Sequence, residues 1–123
     1  MSKDLKDLEV WKQARELRKD ISKFCKGLPE YEKFKLVDQL VRASRSVTAN
    51  IAEGHGRYHY QENIQYCRQA RGSLVEMYDH MTVALDELYI NEDTFNAFDQ
   101  KIERVTKMLN GYIAHLKKLK DEK

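Results

Sequence analysis

The sequence predicts an all-α protein, an antiparallel up-down-up-down four-helix bundle. Apolar residues recur at alternating spacings of three and four over four long segments, which is the pattern of helices packed in a bundle. The chain has one proline and five glycines in 123 residues, so few residues interrupt long helices. No segment alternates apolar and polar residues with a period of two, so no strand is predicted.

Four helices are expected, at about residues 5–27, 30–53, 59–89 and 92–120. Gly27 and Pro29 separate the first two, because glycine favours the end of a helix and proline its first turn. The run 54–57, GHGR, is expected to end the second helix and precede the third. The third join contains Asn91 and Asp93, either of which can cap the fourth helix. Because all three joins are short, consecutive helices are expected to run antiparallel.

Each helix contributes one apolar stripe to the predicted core. The stripes consist of Val10, Ala14, Leu17, Ile21, Phe24 and Leu28; Val37, Leu40, Ser44, Val47 and Ile51; Ile64, Cys67, Leu74, Tyr78, Met81, Leu85 and Leu88; and Phe95, Phe98, Ile102, Val105, Leu109, Tyr112, Leu116 and Leu119. A chain of this length fits one domain, residues 1–123, and can bury such a core. Further apolar residues lie off the stripes and either widen the core or form surface buried between subunits. They are Trp11, Leu36, Val41, Tyr66, Met77 and Met108.

Composition limits the class of protein. No window approaches the ~18 apolar residues of a transmembrane helix, and the N-terminal residues lack the apolar segment of a signal peptide. A cytoplasmic location is therefore expected. The net charge of +2 is mildly basic and weaker than that of a typical nucleic-acid-binding domain.

The two cysteines, Cys25 and Cys67, have no metal-ligand spacing. The predicted helices place them more than ~15 Å apart, whereas a disulfide needs Cα atoms within ~7 Å. Two free thiols are expected, and no metal site or cofactor is predicted.

The predicted topology sorts charged residues by end. One end, which we call the basic pole, collects Lys3, Lys6, Arg45, His55, Arg57, His59, Lys117, Lys118 and Lys120. The opposite end, the acidic pole, collects Glu30, Glu32, Asp86, Glu87, Glu92 and Asp93. An ordinary solvated surface with charges at helix ends is an equally weighted explanation.

The run 46–57, SVTANIAEGHGR, departs from ordinary helix chemistry. Asn50 is a weak helix former about 80° from the core direction, and Glu53 lies in the last predicted turn, where the helix dipole disfavours an anion. Asn50 can be a buried amide that fixes register, and Glu53 can pair with Arg57 or Arg68. Alternatively, the run contacts a neighbouring subunit. The residues assigned to this subunit-interface or structural motif are Ser46, Asn50, Glu53 and Gly54.

The segments LEVWKQARELRKDI, LVDQLVRASRSVTANIAEGHGR and GSLVEM together resemble the four-helix-bundle proteins encoded in intervening sequences of bacterial 23S ribosomal RNA genes. The resemblance covers about residues 5–119, and its most specific part is S-x-x-x-N-I-A-E-G, from Ser46 to Gly54. Two positions depart from the family pattern. Thr48 stands where the family usually has proline, and His59 where it often has a capping serine.

The resemblance implies a cytoplasmic bacterial protein that assembles into a ring, with five subunits the expected number. Relatives include accessory proteins of diversity-generating retroelements, which bind nucleic acid and a reverse transcriptase. This association favours RNA or DNA binding by analogy alone.

The first functional hypothesis is therefore an oligomeric protein that binds RNA or DNA, in which Tyr58 and Tyr60 can stack on unpaired bases. The basic residues assigned to phosphate contact are Arg42, Arg45, Arg57, Arg68, Lys117 and Lys118. The alternative is an oligomeric protein–protein interaction scaffold without nucleic-acid binding. An enzyme is not predicted, because no serine nucleophile motif is present and no carboxylate pair has metal-ligand spacing with the histidines. His55, His59 and His115 can meet at the basic pole, but loop histidines are more often simply exposed.

Overall fold

The structure is a computed structural model that describes residues 4–122, so Lys3 of the predicted basic pole lies outside the described residues. Its four long helices are α1 (Glu9–Cys25), α2 (Leu36–His55), α3 (Tyr60–Asp86) and α4 (Glu92–Asp121). Two single 3-10 turns, Leu5–Asp7 and Glu30–Glu32, precede α1 and α2. No strand occurs between residues 4 and 122. Each helix packs against the next in sequence and α1 against α4, which confirms the all-α four-helix bundle.

The first two helices begin later than predicted because the backbone leaves the helical region in both places. Leu8 is extended, with φ −79° and ψ 113°, and separates the first 3-10 turn from α1. Lys35 has φ −122° and ψ −102°, so α2 begins only at Leu36. The fourth helix begins as predicted, since the Thr94 main-chain N–H donates to Asn91 Oδ1 at 2.9 Å.

The expectation that Gly54 ends the second helix is wrong. The helix continues to His55, and Gly54 is buried against α3. A Cβ atom at this position would lie 2.7 Å from Asn63 Oδ1 and 3.0 Å from both Asn63 O and Tyr66 Cβ. Gly54 therefore permits close approach of two helices, a requirement that depends on α3 and leaves no trace in the local sequence of α2.

Most residues of the predicted stripes are buried, and Leu88 and Tyr78 are exposed. Leu88 is 86% exposed because α3 ends at Asp86 and Leu88 lies in the following loop. Leu36 and Met77, which lay off the predicted stripes, are fully buried within the bundle, so they supply no surface for a subunit contact. Further buried residues outside the stripes are Ala43, Ala70, Ala84 and Ile113.

Polar side chains connect the helices across the core margins. On α1, Arg18 Nη1 donates to Thr48 Oγ1 at 2.9 Å. Lys101 Nζ lies 3.0 Å from Asp20 Oδ2, joining α4 to α1. Such partly exposed ion pairs contribute between about 0 and 1 kcal/mol each, so the apolar core supplies most of the stability.

The end of the bundle with the α1–α2 and α3–α4 loops contains one buried carboxylate. Glu32 is 8% exposed and accepts a hydrogen bond from the Tyr89 hydroxyl at 2.6 Å. The Leu36 main-chain N–H also donates to Glu32, at 3.4 Å, and the Tyr31 and Tyr89 hydroxyls lie 2.6 Å apart. Glu32 lies at the end predicted for the acidic pole, but its carboxylate is buried and joins the two loops.

The two thiols are free, as predicted, and both are buried. Burial disfavours the thiolate, which raises the pKa of Cys25 to about 11 and that of Cys67 to about 12. Neither thiol has the lowered pKa of a reactive cysteine.

Candidate nucleic-acid interface at the basic pole

The basic pole is formed by the start of α1, the α2–α3 loop and the end of α4. Lys120 Nζ donates to Gln61 Oε1 at 2.7 Å, which holds the end of α4 beside the first turn of α3. Lys117 and Lys118 are exposed on the same last turns of α4. This contact brings the α4 lysines and the α2–α3 loop to one surface.

Arg57 lies at the centre of an interaction network on this surface. Its Nε is 3.0 Å from Glu53 Oε2, its Nη1 is 3.5 Å from Glu62 Oε2, and its Nη2 donates to the Tyr66 hydroxyl at 2.8 Å. The guanidinium also lies 5.2 Å from the centre of the Tyr66 ring. Tyr66 first, and then Glu53 and Glu62, raise the pKa of Arg57, so it stays charged. Its positive charge is largely balanced within the chain.

This network explains the position of Glu53. The carboxylate sits in the last turn of α2, where the helix dipole opposes it. Arg57, four residues on, offers a compensating charge and a hydrogen bond. The sequence analysis offered Arg57 or Arg68 as the partner of Glu53, and the partner in the structure is Arg57.

Asn50 also has partners within the chain. Its Nδ2 donates to Ser46 O at 2.9 Å and to Ser46 Oγ at 3.0 Å, and Ser73 Oγ donates to Ser46 Oγ at 2.9 Å. The amide therefore joins a small polar network between α2 and α3 at the core margin. Ser73 escaped sequence reasoning because its partner lies on another helix.

The α2–α3 loop presents Tyr58 to solvent. Tyr58 is 86% exposed and has φ 61°, in the left-handed region. This conformation costs an L-residue about 1–2 kcal/mol, and the exposed ring recovers little of that by burial. Backbone strain of this kind is concentrated at functional sites.

Beside Tyr58 lies a cleft of about 740 Å³, which we call the pole cleft. Its apolar lining consists of Leu8, Val10, Met108, Leu116 and Leu119. Its aromatic and imidazole lining consists of Tyr58, Tyr60, Tyr112, His55, His59 and His115. Volume and mixed lining are those of a small-molecule pocket.

Asn63 and Glu9 complete the lining of the pole cleft. Asn63 is buried; its Nδ2 donates to the Tyr112 hydroxyl at 3.0 Å and its Oδ1 accepts from the Cys67 thiol at 3.5 Å. Burial raises the pKa of Tyr112, with Asn63 acting in the opposite direction, so the phenol stays protonated. The same Asn63 packs on Gly54, which connects the S-x-x-x-N-I-A-E-G run to the wall of the cleft.

The structure brings together only some of the predicted phosphate-contacting residues. Arg57, Lys117 and Lys118 lie at the basic pole. Arg42 pairs with Asp38 at 3.5 Å. At a rise of ~1.5 Å per residue, Arg42 and Arg45 lie roughly 15 Å or more from the C-terminal end of α2. The structure therefore does not place Arg42 and Arg45 beside the pole lysines. Arg68 is exposed on α3.

The three histidines of the pole cleft do not form a metal site. Across residues 4–122, the His, Cys, Asp and Glu side chains form no group of three or more able to hold a metal ion. Searching the same residues, we found no helix both long and apolar enough to cross a membrane.

Comparison with known protein families identifies the fold family. The sequence profile described as 23S rRNA-intervening sequence protein matches residues 6–111, most of the chain. The chain belongs to the 23S rRNA-intervening sequence protein family. A search among curated proteins found no match.

Among solved structures, this member of the 23S rRNA-intervening sequence protein family is similar to a protein of unknown function from the S23 ribosomal protein family of Bacteroides thetaiotaomicron. The TM-score is 0.78 at 21% sequence identity, over 85% of this chain and 97% of the other. At this identity the likeness shows the fold alone.

The two departures from the family pattern also have structural outcomes. Thr48 is buried; its hydroxyl donates to Arg45 O at 3.2 Å and accepts from Arg18, bonds that proline cannot make. His59 is the N-cap of α3 and makes no side-chain capping hydrogen bond, as expected for a residue that caps poorly.

Proposed function

We propose that this chain is a non-enzymatic, nucleic-acid-binding protein whose basic pole contacts the phosphates of RNA or DNA. The observation that carries the proposal is the Lys120–Gln61 hydrogen bond, which aligns the lysines of α4 with the loop that exposes Tyr58. Lys117 and Lys118 take part in none of the ion pairs found among residues 4–122, so their charges are available to phosphates. Cations beside an exposed aromatic ring are typical of surfaces that bind single strands.

The proposal includes a cytoplasmic homo-oligomer, with a pentameric ring as the expected assembly. One subunit offers few unpaired cations at the pole, because Arg57 is balanced by Glu53 and Glu62. A ring multiplies that weak surface, and multivalent contact raises affinity without new residues.

The test is fluorescence anisotropy with a labelled single-stranded RNA at several salt concentrations. Lys117→Ala/Lys118→Ala is expected to weaken binding and to flatten the dependence of log K on log salt by about 0.7 per lost phosphate contact. Lys23→Ala/Lys26→Ala, an equal charge change on exposed lysines at the other end, is the matched control. Absence of binding at low salt, or equal losses in both variants, would contradict the proposal.

A second candidate is the oligomeric protein–protein interaction scaffold without nucleic-acid binding. It is favoured by exposed apolar side chains at the acidic pole, where Phe34 is 84% and Leu88 86% exposed. Recovery of a partner protein after nuclease treatment, lost in Phe34→Ser/Leu88→Gly, would favour this function over nucleic-acid binding.

A further inference from the structure

We propose that the pole cleft is a binding pocket for one unstacked nucleobase, carried by a single strand of RNA or DNA or by a free nucleotide. For a base within a strand, the inference rests on the proposed function. It adds a site for the base to a surface otherwise assigned to phosphates.

The size and lining of the cleft fit a planar heterocycle. At about 740 Å³ it lies within the range of ~300–1,000 Å³ typical of small-molecule pockets. Met108 and Leu116 supply apolar surface for the base, while the tyrosine and histidine rings supply faces on which it can stack. Stacking tolerates every base, so these faces alone do not select one base over another.

Polar groups in the cleft are placed to meet the edge of a base. The Tyr112 hydroxyl accepts from Asn63 Nδ2, so its own proton remains to be donated to a base nitrogen or carbonyl oxygen. Glu9 is the one carboxylate among the described lining residues, and it is occupied by Lys12 at 3.7 Å and by Gln13 Nε2 at 3.2 Å. Repulsion of an anionic ligand inside the cleft is correspondingly limited.

Groups able to hold a phosphate lie next to the cleft. Lys117 and Lys118 directly follow the lining residues His115 and Leu116 on α4. The N-terminus of α3 opens on the same side, and its N-cap residue His59 makes no side-chain capping bond. Main-chain N–H groups and the positive end of the α3 dipole favour an anion there. The lysines and the N-terminus of α3 thus supply positive charge at the same end of the bundle as the cleft.

Tyr58 marks the rim of the pocket, and its strained backbone gives a matched pair of variants. Tyr58 and Leu88 are both 86% exposed and have φ angles of 61° and 64°, but they lie at opposite ends of the bundle. Asparagine tolerates the left-handed region. Tyr58→Asn therefore removes a stacking ring without new strain, and Leu88→Asn makes an equivalent change far from the cleft.

The experiment measures affinity by anisotropy for a labelled 12-nucleotide oligouridylate and for an abasic ribose-phosphate oligomer of the same length and charge. We expect the oligouridylate to bind about tenfold more tightly, since one stacked base contributes on this scale. Tyr58→Asn is expected to remove most of that preference and leave the abasic affinity unchanged. Leu88→Asn is expected to behave like the wild type, and circular dichroism checks that both variants fold.

A second arm titrates uridine monophosphate against ribose 5-phosphate and follows the fluorescence of Trp11, the single tryptophan, which lies next to lining residue Val10. Selective binding of uridine monophosphate supports the pocket. If uridine monophosphate binds selectively but neither oligomer binds, the ligand is a free nucleotide, and only the proposed function is overturned. Equal binding of the two oligomers, without selective uridine monophosphate binding, overturns the pocket and leaves phosphate contact intact. Equal loss of preference in both asparagine variants also overturns it.

Discussion

At the scale of single residues, Leu88 shows how a helix end can be built against local preference. Three hydrogen bonds close α3: Glu87 N to Val83 O, Leu88 N to Leu85 O, and Tyr89 N to Ala84 O, at 2.9, 3.0 and 2.9 Å. The last of these and the left-handed Leu88 form a Schellman motif, in which glycine usually holds the left-handed position. Leucine adds strain there and gains no burial.

Leu88→Gly is accordingly expected to stabilise the protein. Relief of left-handed strain outweighs the added entropy of glycine in the unfolded chain, leaving a gain of about 0.5–1 kcal/mol in the free energy of unfolding. Urea denaturation measures it. Leu85→Gly, inside the last turn of α3, is the control and should be destabilising. A stability equal to or below that of the parent would show that the strain at Leu88 does not exceed the entropic cost of glycine.

At the scale of elements, the contact between α2 and α3 is the most informative of the fold. Gly54 faces Asn63 and Tyr66 at one end of the contact, while Ser46 bonds Ser73 further along. The later residue of α2 contacts the earlier residues of α3, and the earlier residue of α2 contacts the later residue of α3. The two helices therefore run antiparallel. The same contact supports one wall of the pole cleft through Asn63.

Gly54→Ala is expected to destabilise the protein by about 1–3 kcal/mol, because its Cβ has no room beside Asn63 and one helix must shift. Gly72→Ala, on α3 with no atom within 4 Å of the new Cβ, should instead stabilise by about 0.5–1 kcal/mol. Thermal or urea unfolding of both variants measures the difference. Equal effects would show that close approach does not explain Gly54.

Features that depend on one helix could be predicted from the sequence, whereas features that depend on contacts between elements could not. Helix number, the core stripes and the Asn91 cap follow from local spacing and local chemistry, so they were predictable. The roles of Gly54, Asn63 and Glu32 depend on atoms contributed by another helix or loop. At the candidate site, the histidines and Tyr58 were visible in the sequence, whereas the cleft and its Asn63–Tyr112 wall required the packing of α3 on α4.

At the scale of the whole molecule, the two ends of the bundle differ in chemistry as well as in charge. The basic pole combines available lysines with an open cleft, and the opposite end combines a buried carboxylate with exposed apolar side chains. On α2, Asn50 bonds to Ser46 within the chain, and Glu53 pairs with Arg57 at the basic pole. The subunit-interface role of Ser46, Asn50, Glu53 and Gly54 stays a prediction.

Light scattering is expected to give a mass about five times the 14.6 kDa of one chain if a pentameric ring forms. Asn50→Ala/Glu53→Ala should then reduce the mass, since a helix face that meets a neighbour loses its polar contacts. Arg42→Ala/Asp38→Ala, which breaks an exposed pair nearer the start of the same helix, is the comparison. A folded double variant with the parent mass would contradict the interface role.

The hydrogen bond between Tyr89 and Glu32 joins residues 57 positions apart in the chain. The α1–α2 and α3–α4 hairpins each bring together residues that are close in sequence. The Tyr89–Glu32 bond instead needs both hairpins to be docked on each other. We therefore expect it to form after the rate-limiting step of folding. Tyr89→Phe leaves the Glu32 carboxylate without its closest donor. In a chevron plot the variant should unfold faster and fold at nearly the parent rate. Slower folding would place the loop contact in the transition state.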